Sequence, residues 1–86
     1  MNVDYSKTFS KQFEKLPLKK QELAKTAVGL LLQDFNIASL RKHALKGQWL
    51  GYYSISASGD LRLHFKIINE NTVLFVAIGI HSQLYK

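Results

Sequence analysis

The sequence predicts a single α+β domain in which an N-terminal helical hairpin packs on one face of a twisted antiparallel sheet. Apolar residues in the first half recur at helical spacing, and from about residue 49 they alternate with polar residues as they do in strands. A length of 86 residues leaves room for one hydrophobic core, so we expect one domain that spans residues 1–86.

The first half of the chain predicts a short strand followed by two helices. Residues 2–5 favour the strand, and the hydroxyl of Ser6 can then cap a helix. One stripe along this first helix is formed by Phe9, Phe13 and Leu16. Pro17 interrupts the run and is expected as the first residue of the second helix, which should end near Asn36. The apolar face of the second helix is expected to contain Ala24, Ala27, Val28, Leu31 and Phe35.

The second half predicts a three-stranded antiparallel meander, with turns at residues 57–60 and 69–71. The face expected to bury against the helices carries Tyr53, Ile55, Leu61, Leu63, Phe65, Ile67, Leu74, Val76 and Ile78. The opposite face, expected to be open, carries Tyr52, Ser54, Ser56, Arg62, His64, Lys66 and Phe75. An open face with cations, hydroxyls and rings can hold phosphates and stack bases. An ordinary solvated face with cross-strand pairs has the same pattern.

Composition narrows the choice of partners and compartment. Lys and Arg number 12 against 6 Asp and Glu, which gives a net charge of +6 at pH 7. This excess suits a polyanionic partner, although lysines that only maintain solubility explain it equally well. The absence of cysteine excludes disulfides and thiolate metal sites. Without a signal-peptide pattern or a membrane-length apolar run, we expect a cytoplasmic protein with no membrane partner.

Two stretches carry a family resemblance. Residues 40–55 read LRKHALKGQWLGYYSI, and residues 78–86 read IGIHSQLYK. The first resembles the segment that opens the sheet in bacterial toxins of the RelE/ParE superfamily. The second is similar to the ending of the YafQ-like branch, where a Gly-x-His-x-x-Leu-aromatic pattern recurs. Length and element order agree as well, so the resemblance covers essentially the whole chain.

The resemblance implies a RelE-like fold and membership of a type II toxin–antitoxin pair. It further implies a ribosome-dependent endoribonuclease that cuts mRNA in the decoding site, needs no metal or other cofactor, and is silenced by a cognate antitoxin. The partners expected on this basis are the antitoxin, the ribosome and mRNA.

The matching positions are His43, Asp60, His81 and Tyr85, which in the family act on the scissile phosphate or the neighbouring base. The chain departs from the family pattern at two positions. Ser56 stands where a histidine or arginine is usual, and Ala77 stands where many members carry an arginine. Arg62 or His64, on the same predicted face, can substitute for these missing cations, and a weaker or altered nuclease is the equally open alternative.

RNA cleavage by its own 2′-hydroxyl needs a base, an acid and a cation near the phosphate. Histidine suits the first two roles, because its ordinary pKa lies near neutrality. We therefore expect His43 and His81 as acid and base in either order, Asp60 as a base or orienting group, and Arg62 as the phosphate clamp. If Ser82 begins a last helical turn, His81 and the base-stacking Tyr85 face the same way. RNA contacts are expected from His64, Lys66, Lys46, Tyr52 and Ser56.

His43, Asp60, Arg62 and His81 should gather around one basic hollow at the rim of the sheet. Plainer roles stay open, since His43 can cap a helix, Arg62 can pair with Asp60 or Glu70, and His64 can be an exposed strand residue. Three scattered histidines lack the spacing of a metal site. Two other functions fit the same fold, namely a ParE-like toxin that poisons gyrase and a degenerate module that only binds antitoxin or RNA.

Overall fold

The structure, a computed structural model, describes residues 1–85. Its elements are β1 (Asn2–Tyr5), α1 (Lys7–Glu14), α2 (Leu18–Gln33), β2 (His43–Ala44), β3 (Tyr53–Ser58), β4 (Leu61–Asn69), β5 (Thr72–Ile80) and α3 (His81–Leu84). Short 3-10 turns precede and follow β2, at residues 38–40 and 47–49. The predicted α+β class and the N-terminal helical hairpin are confirmed. Within the described residues, no helix has both the length and the apolar character needed to cross a bilayer.

The helical hairpin forms where the sequence predicts it, with one correction at its corner. The Ser6 hydroxyl accepts a hydrogen bond from the Phe9 N–H at 3.0 Å, which caps α1 as expected. Pro17 has an extended backbone (φ −57°, ψ 151°) and immediately precedes α2, so it is not the first helical residue. Proline fixes only φ, and the corner between the helices requires an extended ψ. The Gln21 amide donates to the Phe13 carbonyl at 3.1 Å and stabilises this corner.

The α2 helix buries the predicted face but ends earlier than Asn36, at Gln33. Its buried residues are Ala24, Ala27, Val28 and Leu31. Phe35 lies beyond the helix end, yet it still packs edge-on against Phe65, with ring centroids 6.1 Å apart. Phe35 is therefore part of the apolar packing, as predicted, although it is not part of the helix.

The sheet has five strands in the order β1-β5-β4-β3-β2. The predicted meander of β3, β4 and β5 forms its centre. The N-terminal strand β1 pairs with β5 in parallel, and the two-residue β2 extends the other edge by pairing with β3. This short edge strand is absent from the sequence prediction, because two residues are too few to show an alternation.

A β-bulge in β5 corrects the predicted facing of this strand. His64 pairs with Ala77 whereas Phe65 pairs with Phe75, so Val76 is left without a partner in β4. One extra residue reverses the alternation of side chains on the preceding part of the strand. Phe75 is therefore fully buried in the core, contrary to the prediction.

The same reversal moves Leu74 and Val76 out of the core, where they are only half-buried. Ile67, also predicted in the core, is 44% exposed near the end of β4. The core against the helices contains Phe9, Leu31, Leu40, Ile55, Leu61, Leu63, Phe65, Val73, Phe75 and Ile78.

Candidate active site on the distal face of the sheet

The sheet face opposite the helices, which we call the distal face, carries a row of paired residues. His43 on β2 pairs with Ser54 on β3, Ser54 pairs with His64 on β4, and His64 pairs with Ala77 on β5. Directly paired residues project to the same side of a sheet. The register therefore places His43 and His64 on one face.

The centre of the distal face is covered, although the sequence predicts it to be open. The side chains of Ser54 and His64 are fully buried. The Trp49 ring stands nearly perpendicular to the His64 ring at 4.5 Å between centroids, and the Tyr85 ring lies 5.3 Å from it. His64 is consequently not the exposed RNA-contacting residue that was predicted.

The cover consists of two segments fixed to each other and to the sheet. The indole N–H of Trp49 donates to the Leu84 carbonyl at 3.2 Å, and the Tyr85 hydroxyl lies 3.1 Å from Nε2 of His64. Trp49 thus packs against the sheet. Burial of His64 depends on residues 15 positions before it and 21 after it, so strand alternation alone does not reveal it.

A glycine lies beneath the last turn of the chain. The Ile80 N–H donates to Oε1 of Gln83 at 2.9 Å, which folds α3 back over β5. A Cβ atom on Gly79 would lie 2.7 Å from this same Oε1. Glycine in the Gly-x-His motif therefore leaves room for the Gln83 side-chain oxygen that accepts this hydrogen bond.

His81 and Tyr85 face the same way, as the spacing of four residues predicts. Their ring centroids are 4.4 Å apart with an interplanar angle of 31°. His81 is exposed and Tyr85 is half-buried. Tyr85 therefore contacts both the buried His64 and the exposed His81.

His43 is exposed on the edge strand, so it does not cap a helix. Its Nδ1 lies 3.0 Å from the Arg41 carbonyl oxygen. Because a carbonyl only accepts, Nδ1 must carry the proton, and Nε2 of the neutral ring keeps a free lone pair. Arg41 adopts the left-handed conformation (φ 51°), which is uncommon for a residue with a side chain and aims this carbonyl at His43.

The two histidines on the row differ in their electrostatics. Burial, with a smaller contribution from His43, lowers the pKa of His64 from 6.5 to about 4. His64 is therefore neutral at physiological pH. The register places His43 and His64 two strands apart on this face.

Arg62 and Asp60 both lie near the turn between β3 and β4. The Arg62 side chain starts on the distal face, two residues before His64, and its guanidinium donates to the Gly59 carbonyl in the turn. Asp60 is exposed in that turn and makes no side-chain hydrogen bond or ion pair with any residue from 1 to 85. The alternative in which Arg62 pairs with Asp60 or Glu70 is not observed.

The predicted RNA-contacting residues lie around the covered centre. The Lys66 ammonium is 5.8 Å from the centroid of the Tyr52 ring, and Ser56 pairs with Arg62 across the strands. Lys46 is exposed beside the 3-10 turn that carries Trp49.

The sequence predicts a basic hollow around His43, Asp60, Arg62 and His81. None of these four residues lines either of two cavities in the structure. One groove of about 400 Å³ lies on the opposite side of the sheet and is lined by Tyr5, Phe9, Ser10, Phe13, Glu14, Ala24, Lys25 and Val28. A second, of about 230 Å³, is lined by Asn36, Ile37, Ala38, Arg41 and Lys42. From residue 1 to 85, no three His, Asp or Glu side chains cluster as metal ligands.

Solved structures with the same fold include bacterial toxins. YafQ from Escherichia coli is 26% identical, with a TM-score of 0.81 over 99% of this chain and 98% of that one. A metal-bound toxin from Helicobacter pylori is 28% identical, with a TM-score of 0.76 over 99% of both chains. A YoeB/ParE toxin from Agrobacterium tumefaciens shares the fold at 13% identity, with a TM-score of 0.79 over 94% of this chain and 99% of that one.

Sequence comparison gives the family directly. The chain has no match among the curated proteins. The family model described as the bacterial toxin of type II toxin-antitoxin system, YafQ, matches residues 1–86. The chain therefore belongs to the YafQ family of bacterial type II toxin–antitoxin toxins.

Proposed function

We propose that this toxin is a ribosome-dependent endoribonuclease that cleaves mRNA by histidine acid–base chemistry. The observation that carries the proposal is the disposition of its imidazoles. His43 and His81 are exposed; His81 contacts Tyr85, which is hydrogen-bonded to the buried His64, and His64 shares the distal face with His43. Two exposed imidazoles near one surface supply the two proton transfers that RNA cleavage requires.

The free lone pair on Nε2 of His43 supports its assignment as the base. In the proposed step, this nitrogen takes the proton of the 2′-hydroxyl, and the 2′-oxygen forms a bond to phosphorus. The bond from phosphorus to the 5′-oxygen breaks, and the imidazolium of His81 donates a proton to that oxygen. The products are a 2′,3′-cyclic phosphate and a 5′-hydroxyl. Each proton transfer contributes roughly 10²–10⁴-fold to the rate.

Arg62 is proposed as the group that stabilises charge on the phosphate. Its guanidinium is held at the turn beside Gly59, and it remains only half-buried. A planar guanidinium can offer two parallel N–H groups to phosphate oxygens. Asp60, exposed in the same turn, is the alternative base.

Base and backbone contacts are assigned to the surroundings of this site. The half-buried ring of Tyr85 offers a surface for stacking a base next to the cleaved bond. Lys46, Lys66, Tyr52 and Ser56 are proposed to contact the RNA backbone around the covered centre, where cations favour phosphate.

The proposed chemistry requires no metal ion, because imidazoles provide both proton transfers. Since the Helicobacter relative is metal-bound, this part of the proposal needs its own test. Protein dialysed against a chelator should cleave mRNA on intact ribosomes as fast as untreated protein. A loss of cleavage that added zinc or copper restores would contradict the metal-free mechanism.

The cognate antitoxin is proposed as the protein partner. The E. coli relative is solved as a DinJ-YafQ toxin-antitoxin complex, at 27% identity to this chain. The net charge of +6 suits an acidic antitoxin segment that orders on contact. Co-expression with the product of the adjacent gene should relieve growth arrest and permit co-purification.

Primer extension on mRNA from expressing cells tests the proposed activity. The wild type should arrest growth and generate new 5′ ends within translated messages, whereas folded His81→Ala should do neither. Intact mRNA with DNA-damage signalling would favour the gyrase-poisoning alternative. Intact mRNA without arrest would favour a module that only binds.

A further inference from the structure

The contact between His64 and Tyr85 has no place in the proton transfers described above. Both residues lie on the distal face, and they join the sheet to the last turn of the chain. We propose that His64 is a positioning residue, which holds the Tyr85 ring and through it His81 in the arrangement required for cleavage. This inference rests on the proposed nuclease function.

Burial excludes a direct role for His64 at the RNA. Its side chain has no exposed surface, and Trp49 and Tyr85 cover it. Any effect of His64 on cleavage must therefore pass through a neighbour that reaches the substrate. Tyr85 is such a neighbour, because its hydroxyl bonds His64 and its ring contacts the exposed His81.

The hydrogen bond also orients the Tyr85 hydroxyl. Nδ1 of His64 is buried and has no hydrogen-bond partner among residues 1–85. Orphaned buried N–H groups are rare in proteins, so the proton of the neutral ring belongs on Nε2, which donates to the Tyr85 oxygen. The hydroxyl hydrogen of Tyr85 is then free to donate outward, to an acceptor on the bound RNA.

Four variants separate this role from simple packing. His64→Leu removes both ring nitrogens and keeps apolar bulk. The side-chain amide of His64→Gln reaches the position of Nε2, whereas that of His64→Asn reaches only the position of Nδ1. Tyr85→Phe removes the hydroxyl from the other partner. If the Nε2 contact matters, His64→Gln should resemble the wild type, and His64→Leu, His64→Asn and Tyr85→Phe should resemble one another.

Nuclear magnetic resonance tests the positioning directly and needs no activity. The ¹⁵N shifts of His64 should show the proton on Nε2 in the wild type. The proton shifts of the His81 ring should carry the ring-current effect of Tyr85 in the wild type and in His64→Gln, and lose it in His64→Leu. Unchanged His81 shifts in a folded His64→Leu protein would overturn the proposal, even if the wild type cleaves no RNA.

Single-turnover cleavage of ribosome-bound mRNA tests the consequence. We expect about a tenfold loss of rate in His64→Leu and in Tyr85→Phe, the size of one lost hydrogen bond. The double variant should lose no more than either single variant, because both remove the same bond. If the loss of rate in the double variant equals the product of the two single losses, His64 and Tyr85 act independently, which would contradict the proposal. An inactive wild type with the expected ring-current shifts would instead refute only the nuclease function.

Discussion

The indole N–H of Trp49 donates a hydrogen bond to the Leu84 carbonyl across 3.2 Å, and so fixes the last turn of the chain to the segment between β2 and β3. Chain ends are usually loose. Here the final turn is held by this bond, by the buried Leu84 side chain and by the contact of Tyr85 with His64. An imidazole and a phenol near a terminus can therefore keep a defined position.

Trp49→Phe should loosen this turn while keeping most of the ring packing. Loss of one hydrogen bond should lower the free energy of unfolding by about 1 kcal/mol. Amide exchange at residues 81–85 should accelerate more than exchange in β4. Urea unfolding and hydrogen exchange with mass spectrometry measure both. Tyr52→Phe is the matched control, since the Tyr52 hydroxyl makes no hydrogen bond with residues 1–85. Equal exchange in Trp49→Phe and wild type would show that the bond does not hold the turn.

Stability should depend on pH through His64. Burial lowers the pKa of His64 from 6.5 to about 4, so between these values the unfolded chain binds a proton that the folded protein does not. The stability from neutral His64 is complete above pH 6.5 and is lost as the pH falls towards 4. We expect a loss on the order of 2–3 kcal/mol.

Urea unfolding at a series of pH values measures this loss. His64→Gln cannot titrate, so the difference between wild type and this variant isolates the histidine from the carboxylates. A difference that stays constant from pH 7 to about pH 4 would show that His64 is not held neutral by burial.

Arg62 should matter for cleavage far more than for folding. Arg62→Gln removes the guanidinium from a half-buried side chain, and we expect roughly 10²–10³-fold slower cleavage with unfolding free energy changed by about 0.5 kcal/mol or less. Arg62→Lys keeps the charge but not the planar guanidinium, so its cleavage rate should lie between those of the wild type and Arg62→Gln. Lys25→Gln, on the helical side of the molecule, is the charge-matched control. If Arg62→Gln cleaves mRNA at the wild-type rate, Arg62 does not stabilise charge on the phosphate.

Introducing at position 77 the arginine that the family resemblance implies should destabilise this protein. Ala77 is 3% exposed and pairs with the fully buried His64. An arginine there would place a charge beside the buried His64, and we expect Ala77→Arg to lower the free energy of unfolding by about 3 kcal/mol. Ser56→Arg, at a half-exposed position, should be tolerated. A stable Ala77→Arg protein that cleaves faster than wild type would show that the cover formed by Trp49 and Tyr85 can move away from the distal face.

Local patterns predicted much of this structure. The Ser6 cap, the buried face of α2 and the shared orientation of His81 and Tyr85 each depend on residues within a few positions of one another. Such arrangements follow from helical geometry, which a single sequence displays.

Contacts between distant segments were beyond prediction. The bulge at Val76 reverses part of β5 without a signal in its apolar run, and it left Phe75 on the wrong face. His64 is buried by Trp49, which precedes it in the sequence, and by Tyr85, which follows it. The alternation of residues within β4 does not predict this burial. One local feature also escapes prediction, because the tautomer of His43 depends on the left-handed backbone of Arg41, which a single sequence does not display.

The pH dependence of single-turnover cleavage on programmed ribosomes tests the central claim that two histidines act as base and acid. The wild type should give a bell-shaped profile, because one imidazole must be neutral and the other protonated. His43→Gln should remove the limb at low pH, and His81→Gln the limb at high pH. Wild-type profiles and rates in both folded variants would contradict the account.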